Sequence, residues 1–433
     1  MTIAVKAEAA DAADAEAYAL PLEELNPGNA DRFEVGTQWP VFKRLRAEDP
    51  VHFTPDSEFG PYWSITKWGD IMAVDTNHEV FSSVGGIVLS NLQQAAERLK
   101  LPGERTKEEQ IEAARRGEGA SFIGLDEPYH GPKRKAVSPT LAPANIALMA
   151  PLVRERAGQI LDALPIGETF DWVDVVSKEL TSMTLATMLD FPFEERRKLL
   201  YWTTGDGVEL TPQERLSAAM ERQARFDELW EQKLKAPPAM DLISMMAHNP
   251  LTRNMSRHEY QGNVVLLIIG GNDTTRNTIS GSVYELNRNP DQYAKLRANP
   301  ELIPAMVAET IRYQTPLAHM ARTALRDIEV GGKTIREGDR VAMWYISGNR
   351  DEDVVAEPNV YNIERERPRH HMSFGFGVHR CVGNRVAEMQ LTIIWEEILK
   401  RFPEIAVAGE HRRSHSSFIH GFETLPVVIP ARA

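Results

Sequence analysis

Cysteine is almost missing from this chain: Cys381 is the only one in 433 residues. That excludes an internal disulfide and any multi-cysteine metal site, and it fits a reducing compartment, so the cytoplasm is the expected location. Long apolar runs are missing as well. The longest, residues 264–271, falls well short of the roughly 20 residues needed to span a bilayer. The first twenty residues are rich in Ala and acidic side chains and lack a basic start followed by an apolar stretch. No signal peptide or membrane anchor is legible there, and a loose acidic tail is expected over 1–34. Positive charge is in deficit: 49 Lys and Arg against 62 Asp and Glu leave a net charge of −13. Such a balance repels nucleic-acid backbones and anionic lipid headgroups. No internal repeat or low-complexity linker is present, and with 42% hydrophobic and 26% charged residues the composition is that of an ordinary folded protein.

What is there reads mainly as helix. Apolar residues recur at helical spacing over 147–164 and 172–189, and a long helix begins near Gly383. Short β-type segments occur at 62–65, at 323–346, where Gly331-Gly332 separates two half-apolar runs like a hairpin, and at 426–429. The fold class is therefore mainly α with a small β-rich portion. Residues 85–122 show no clear pattern and are expected to form a long functional loop. The most informative helix starts at Ser256, where Glu259 completes a capping box, and ends before Pro290. About 33 residues give roughly 50 Å, enough to cross a whole domain. Its centre, 263–271, is apolar nearly all round and is expected to be buried on every side. Asn272, Asp273, Thr274 and Thr275 follow, where a plain core helix would carry leucine.

Cys381 sits in the run Phe374, Gly375, Phe376, Gly377, Val378, His379, Arg380, Cys381, Val382, Gly383. A lone cysteine is most often a small buried hydrophobe. Here Gly377 and Gly383 remove side chains on both sides of the thiol, as close approach of a large flat ligand requires. Zinc would need further cysteines, whereas haem iron is held by a single thiolate.

This run resembles the haem-binding signature of the cytochrome P-450 superfamily of haem-thiolate monooxygenases, and it matches every fixed position. Gly270 to Thr275 on the long helix, Glu309 with Arg312 on a later one, and Asp126, His130 and Arg134 upstream occur in the family's order. The resemblance runs from about residue 35 to the end, implying one catalytic domain over 35–433. It implies haem b with Cys381 as the iron's axial ligand. It further implies a cofactor-binding set of His130, Arg134, Gly271, Thr274, Leu317, Arg322, Ser373, Phe374, Gly375, His379, Cys381, Val382 and Gly383. Within that set His130, Arg134, Arg322 and His379 correspond to cationic partners of the propionates. Asp273 and Thr274 resemble the acid–alcohol pair that relays protons to dioxygen. Taken alone, Thr274 is also a helix hydroxyl bonding back to Gly270. Glu309 and Arg312 alone read as a surface pair; the family makes them a buried lock joined by a third residue, Arg365 or Arg367.

The expected substrate positions are apolar: Ile87, Val88, Leu89, Ile269, Gly270, Leu317, Met320, Phe418 and Ile419. The stretches 314–320 and 370–377 resemble the bacterial branch that hydroxylates terminal carbons of medium-chain alkanes and fatty acids. A cyclic terpenoid or steroid-like substrate is the alternative, and a peroxide-driven enzyme or a non-catalytic haem or lipid carrier are the remaining readings. Electrons are expected from an iron–sulfur ferredoxin with a separate reductase. It would dock on the locally basic patch of Arg365, Arg367, Arg369, Arg380 and Arg385.

Overall fold

The computed structural model describes residues 13–98, 105–208 and 210–433. Its frame consists of helices α1 (Trp39–Glu48), α2 (Trp68–Thr76), α3 (His130–Val137), α4 (Pro143–Asp162), α5 (Glu179–Leu189), α6 (Arg257–Arg288), α7 (Ile303–Gln314) and α8 (Asn384–Arg401). The capping box starts α6 as its sequence dictates: Ser256 Oγ accepts from the Glu259 N–H, and the Glu259 carboxylate accepts from the Ser256 N–H. At 32 residues α6 crosses the protein between two apolar cores. Ile279, Val283 and Leu286 pack with Ile311 of α7 and Ile394 of α8, while Val264 and Ile268 pack with Leu185 and Leu189 of α5.

Burial on every side does not hold for α6. Gly270, at mid-helix, is exposed, and Ile269 and Thr274 are only half-buried, so one strip of the helix faces open space inside the fold.

The β-rich portion is a five-stranded sheet made from β1 (Val51–Thr54), β2 (Tyr62–Ile65), β3 (Phe81–Ser82), β4 (Met320–Ala324) and β5 (Arg340–Met343). They lie in the order β1-β2-β5-β4-β3, with β2 and β5 parallel and the other pairs antiparallel. Ile328–Val330 and Lys333–Ile335 form the expected hairpin, and Gly331 and Gly332 both take the positive φ that its two-residue turn demands. The terminal strand Pro426–Val428 pairs with Thr169–Asp171 and Ala406–Val407.

Two further expectations fail. Residues 85–122 are not one loop: Leu92–Arg98 and Lys107–Arg115 are helices, the second begun by a Thr106–Glu109 capping box. Both are so polar that they carry no apolar stripe to read. Nor is 1–34 a loose tail throughout; residues 1–12 lie outside the described residues, but Ala17 and Leu25 are buried against Val41 and Leu45. Arg44 of α1 donates to the carbonyls of Ala17 and Leu20. Small alanine side chains bury without leaving an obvious hydrophobic signal. Among the described residues no single helix is long and apolar enough to cross a membrane.

Glu397 joins α8 to α4 by accepting from Arg154 at 2.8 Å, from Lys400 at 2.7 Å and from Arg401. Burial alone would raise its carboxyl, but these donors win and bring it down to about 2. A carboxyl depressed in the folded state stabilises above its unfolded value, 4.5, and that contribution is lost as pH falls toward 2. Thermal melts should therefore show Glu397→Gln with a lower Tm at neutral pH and a shallower fall in Tm below about pH 4.5. Parallel curves for the two proteins would deny the network any role.

Candidate active site

The segment carrying Cys381 is shaped by one buried carboxylate on α2. Asp75 accepts from the Phe376 N–H at 2.8 Å, the Tyr345 hydroxyl at 2.9 Å and the Arg322 guanidinium at 3.1 Å. Burial raises its carboxyl, opposed by Arg322 and these donors. A Cβ on Gly377 would come within 2.7 Å of the Asp75 carbonyl, and its φ of +65° is one that L side chains rarely adopt. Gly377 is therefore required by the protein's own backbone and not, as the sequence suggested, by a ligand. Gly383 is different: a Cβ there would meet nothing within 4 Å.

The Cys381 N–H donates to the Phe374 carbonyl at 2.8 Å, which closes the segment just before the N-terminus of α8. The thiol side chain is accessible although protein surrounds it, so it opens into an internal cavity. Desolvation pushes the thiol up. The N–H groups of Gly383 and Asn384 and the guanidiniums of Arg134 and Arg380 work against this and favour the thiolate.

The open strip of α6 supplies a second wall. A Cβ on Gly270 would also meet nothing within 4 Å, and Thr274 Oγ1 donates to the Gly270 carbonyl at 3.1 Å. Gly271 packs on Leu185 instead, where a Cβ would come within 3.3 Å. Asp273 does not share the cavity with Thr274. It is turned into the protein, where Asn272 donates to it at 2.9 Å and Arg276 lies at 3.2 Å; Thr181 in turn donates to Asn272. Burial raises the Asp273 carboxyl, and Arg276 opposes it.

The four predicted propionate partners lie near one another. His130, on the first turn of α3, is buried with neither ring nitrogen hydrogen-bonded, its Nδ1 3.7 Å from Glu127 Oε1, and its ring lies 4.1 Å from that of His379. His379 Nε2 meets Ser83 Oγ at 3.0 Å while its Nδ1 has no partner. Arg134 reaches the Arg380 carbonyl beside the thiol. Arg322 differs from the other three in that its guanidinium already donates to Asp75 and to the Ala321 carbonyl. Burial lowers both imidazoles, His379 to about 2 with Arg322 adding to the effect. Buried donors without acceptors are costly, and carboxylates entering this cavity would satisfy them. The chemistry of these residues thus fits haem: the Cys381 thiolate would hold its iron, and His130, His379 and Arg134 would meet its propionates.

The lock forms fully inside the protein. Arg312 makes two 2.8 Å bonds to the Glu309 carboxylate, and Arg365 Nε reaches both oxygens at 3.0 and 2.9 Å. Arg365 is therefore the third member and leaves the basic patch; Arg367 is exposed. The Ser373 hydroxyl is engaged by the protein: it donates to the Ile311 carbonyl of α7 and accepts from Asn349. Gly375, with φ +65°, sits against Asp75 and Tyr345. Phe374 and Val382 are half-buried against the two large cores. Among the expected substrate positions, Ile87, Val88, Ile269, Leu317, Phe418 and Ile419 are half-buried, and Leu317 bridges Ile419. Leu89 and Met320 are core residues instead, packed with Phe42 and Trp344 and with Val51 and Met343 respectively. Asp75 and Ser83 were missed; an acid in line with the apolar Ile71 and Val74 on the helix was the one available signal. A groove of about 480 Å³ beside Arg156, Asp190 and Arg225 contains none of these residues.

Comparison with known proteins gives the same picture. The cytochrome P-450 family profile matches residues 216–414. Linalool 8-monooxygenase of Pseudomonas putida is 33% identical over 411 residues, 93% of this chain and 98% of that protein. A methyl-branched lipid omega-hydroxylase of Mycobacterium tuberculosis is 27% identical over 427 residues, 94% of this chain and 95% of its own. Among solved structures, cytochrome P-450-153 from Novosphingobium aromaticivorans superposes with a TM-score of 0.82 at 40% identity, covering 93% of this chain and 98% of its own.

Proposed function

The chain belongs to the cytochrome P-450 family of monooxygenases, and from that premise we propose that it hydroxylates the terminal carbon of medium-chain alkanes or fatty acids. Haem bound through the Cys381 thiolate supplies dioxygen activation and the insertion of one oxygen atom into a C–H bond. In this reading His130, His379 and Arg134 hold the propionates, and 35–433 acts as a single catalytic unit in the cytoplasm. What supports the substrate class is the apolar character of the positions assigned to the cavity wall. Ile87, Val88, Ile269, Leu317, Phe418 and Ile419 come from four separate segments and bring no charge. An apolar wall of that kind excludes water and orients an unfunctionalised chain end. The likeness to an omega-hydroxylase supports the same class. A terpenoid substrate is the second reading, favoured by the 33% identity to a linalool 8-monooxygenase.

The test is product analysis with a surrogate ferredoxin system and a panel of linear alkanes, fatty acids and cyclic terpenoids. Terminal alcohols from the linear compounds support the proposal; activity confined to the terpenoids overturns the substrate class.

Thr274 holds a transferable proton at Oγ1 on the open strip beside Gly270. Asp273 reaches it only by giving up its Asn272 and Arg276 partners. Thr274→Ala should lower the fraction of consumed oxygen recovered as product roughly tenfold or more, below the usual span of general acid–base contributions. An oxygen electrode read against product yield checks this, and full coupling in the variant removes the relay.

Arg380 and Arg385 are exposed beside the thiol loop, and Arg369 lies 3.5 Å from Glu388. We assign this patch to an acidic iron–sulfur ferredoxin, served by a separate reductase. Reversing the charge at Arg380 or Arg385 should slow reduction roughly tenfold at low salt and less at high salt, measured by stopped flow. Equal rates at all salt concentrations would dismiss the patch.

A further inference from the structure

His319 lies between α7 and β4 with no exposed surface, its ring 4.6 Å from that of Trp344 and 5.5 Å from that of Phe418. Its Nδ1 is 2.9 Å from the Ser417 carbonyl, and the Leu89 N–H donates to its Nε2 at 3.2 Å. A carbonyl only accepts and a backbone N–H only donates, so these partners fix the tautomer with the proton on Nδ1. Burial lowers the ring to about 4, which keeps it neutral and both bonds intact at ordinary pH.

The two partners belong to separate segments, one next to Ile87-Val88 and the other next to Phe418-Ile419 of the proposed wall. On one side Ala318 donates to the Phe418 carbonyl at 2.9 Å and His420 to the Pro316 carbonyl at 2.9 Å, so 316–318 runs beside 418–420. On the other side the Ile87 carbonyl accepts from Ala321, while Arg340 holds the carbonyls of Gly86 and Val88 at 2.8 and 2.9 Å. Each wall is thus pinned to the β-rich portion separately, and the His319 side chain ties one to the other.

We infer that His319 is a positioning residue: it fixes the spacing between Ile87-Val88 and Phe418-Ile419, and so decides which carbon of a linear chain lies at the haem. This rests on the cavity wall proposed above. Asparagine is too short to reach both partners, whereas glutamine offers one donor and one acceptor on a longer stem.

In the haem-loaded protein, His319→Asn is expected to speed hydrogen exchange at the Leu89 amide roughly tenfold or more. It should also lower the ratio of terminal to subterminal alcohols from n-octane and dodecanoic acid about threefold, in line with the modest energies that govern placement in apolar pockets. The spectrum of the carbonyl-bound ferrous haem should stay unchanged, and His319→Gln should restore most of both readouts. Unchanged exchange at Leu89 in His319→Asn overturns the clamp, whatever the substrate. If exchange rises but the product ratio holds while Ile87→Phe shifts it, the register role falls and the cavity wall stands. If Ile87→Phe also leaves the ratio unchanged, the cavity wall itself is wrong, and the register role falls with it.

Discussion

Cys381→Ser is expected to abolish monooxygenation, with a loss of at least about a thousandfold, while leaving the protein folded. The chain has no second cysteine, so no other thiolate can take over the axial position. A serine hydroxyl stays neutral in a desolvated site, where even the thiol is pushed up by burial. The spectral signature of thiolate-ligated, carbonyl-bound ferrous haem should vanish with the activity. Stability should barely change, because the side chain opens into a cavity and the loop is closed by backbone, from the Cys381 N–H to the Phe374 carbonyl. Tm within a few degrees of the parent, together with a lost thiolate band, is the expected pair of results. A retained band would refute the assigned ligand.

Glu309→Ala is expected to have the largest effect on stability. Glu309 has no exposed surface and neutralises two guanidiniums, Arg312 with 1% of its side chain exposed and Arg365 with 13%. The Asn362 N–H donates to the same carboxylate. Removing one member of such a buried cluster strands the others, at a cost of about 3–5 kcal/mol. Both arginines keep carbonyl partners, Arg312 at Asn349 and Pro358 and Arg365 at Ala356 and Glu357, so the lost charge balance is what the variant exposes. Because α7 also anchors the thiol segment through Ser373 and the Ile311 carbonyl, haem retention should fall together with Tm. Thermal melts and the haem-to-protein ratio measure this. A variant as stable and as haem-replete as the parent would reduce the lock to a bystander.

The sequence was most legible where a local rule was at work. The start of α6 followed from Ser256 and Glu259, two residues that satisfy one another's backbone, and its length followed from the next proline. The thiol segment and the Glu309–Arg312 pair were legible as motifs of fixed short spacing. Legibility ended where partners are distant along the chain. Nothing within the sequence separates Arg365 from Arg367, because the carboxylate they compete for lies more than fifty residues away and only the folded path of the chain brings one of them to it. Asp75 escaped notice for the same reason. Arg322 was assigned to propionates on position alone, and its engagement by Asp75 is visible only in three dimensions. The polar helices Leu92–Arg98 and Lys107–Arg115 escaped because they bury too little to leave a stripe. Asp273 shows the limit most clearly: adjacency to Thr274 in sequence puts the two side chains about 100° apart around a helix, so one faces the cavity and the other the protein.

The Asp75 carboxylate bears on how the molecule is made. Its bond to the Phe376 N–H closes a span of 301 residues, and its pairing with Arg322 closes one of 247. Contacts so far apart along the chain form slowly and late. During synthesis α2 emerges first, and its acidic group gains Arg322 only 247 residues later and the Phe376 N–H only 301 residues later. The thiol segment therefore takes its held shape only after the chain through Phe376 has left the ribosome, so the early helices alone cannot prepare the cofactor pocket.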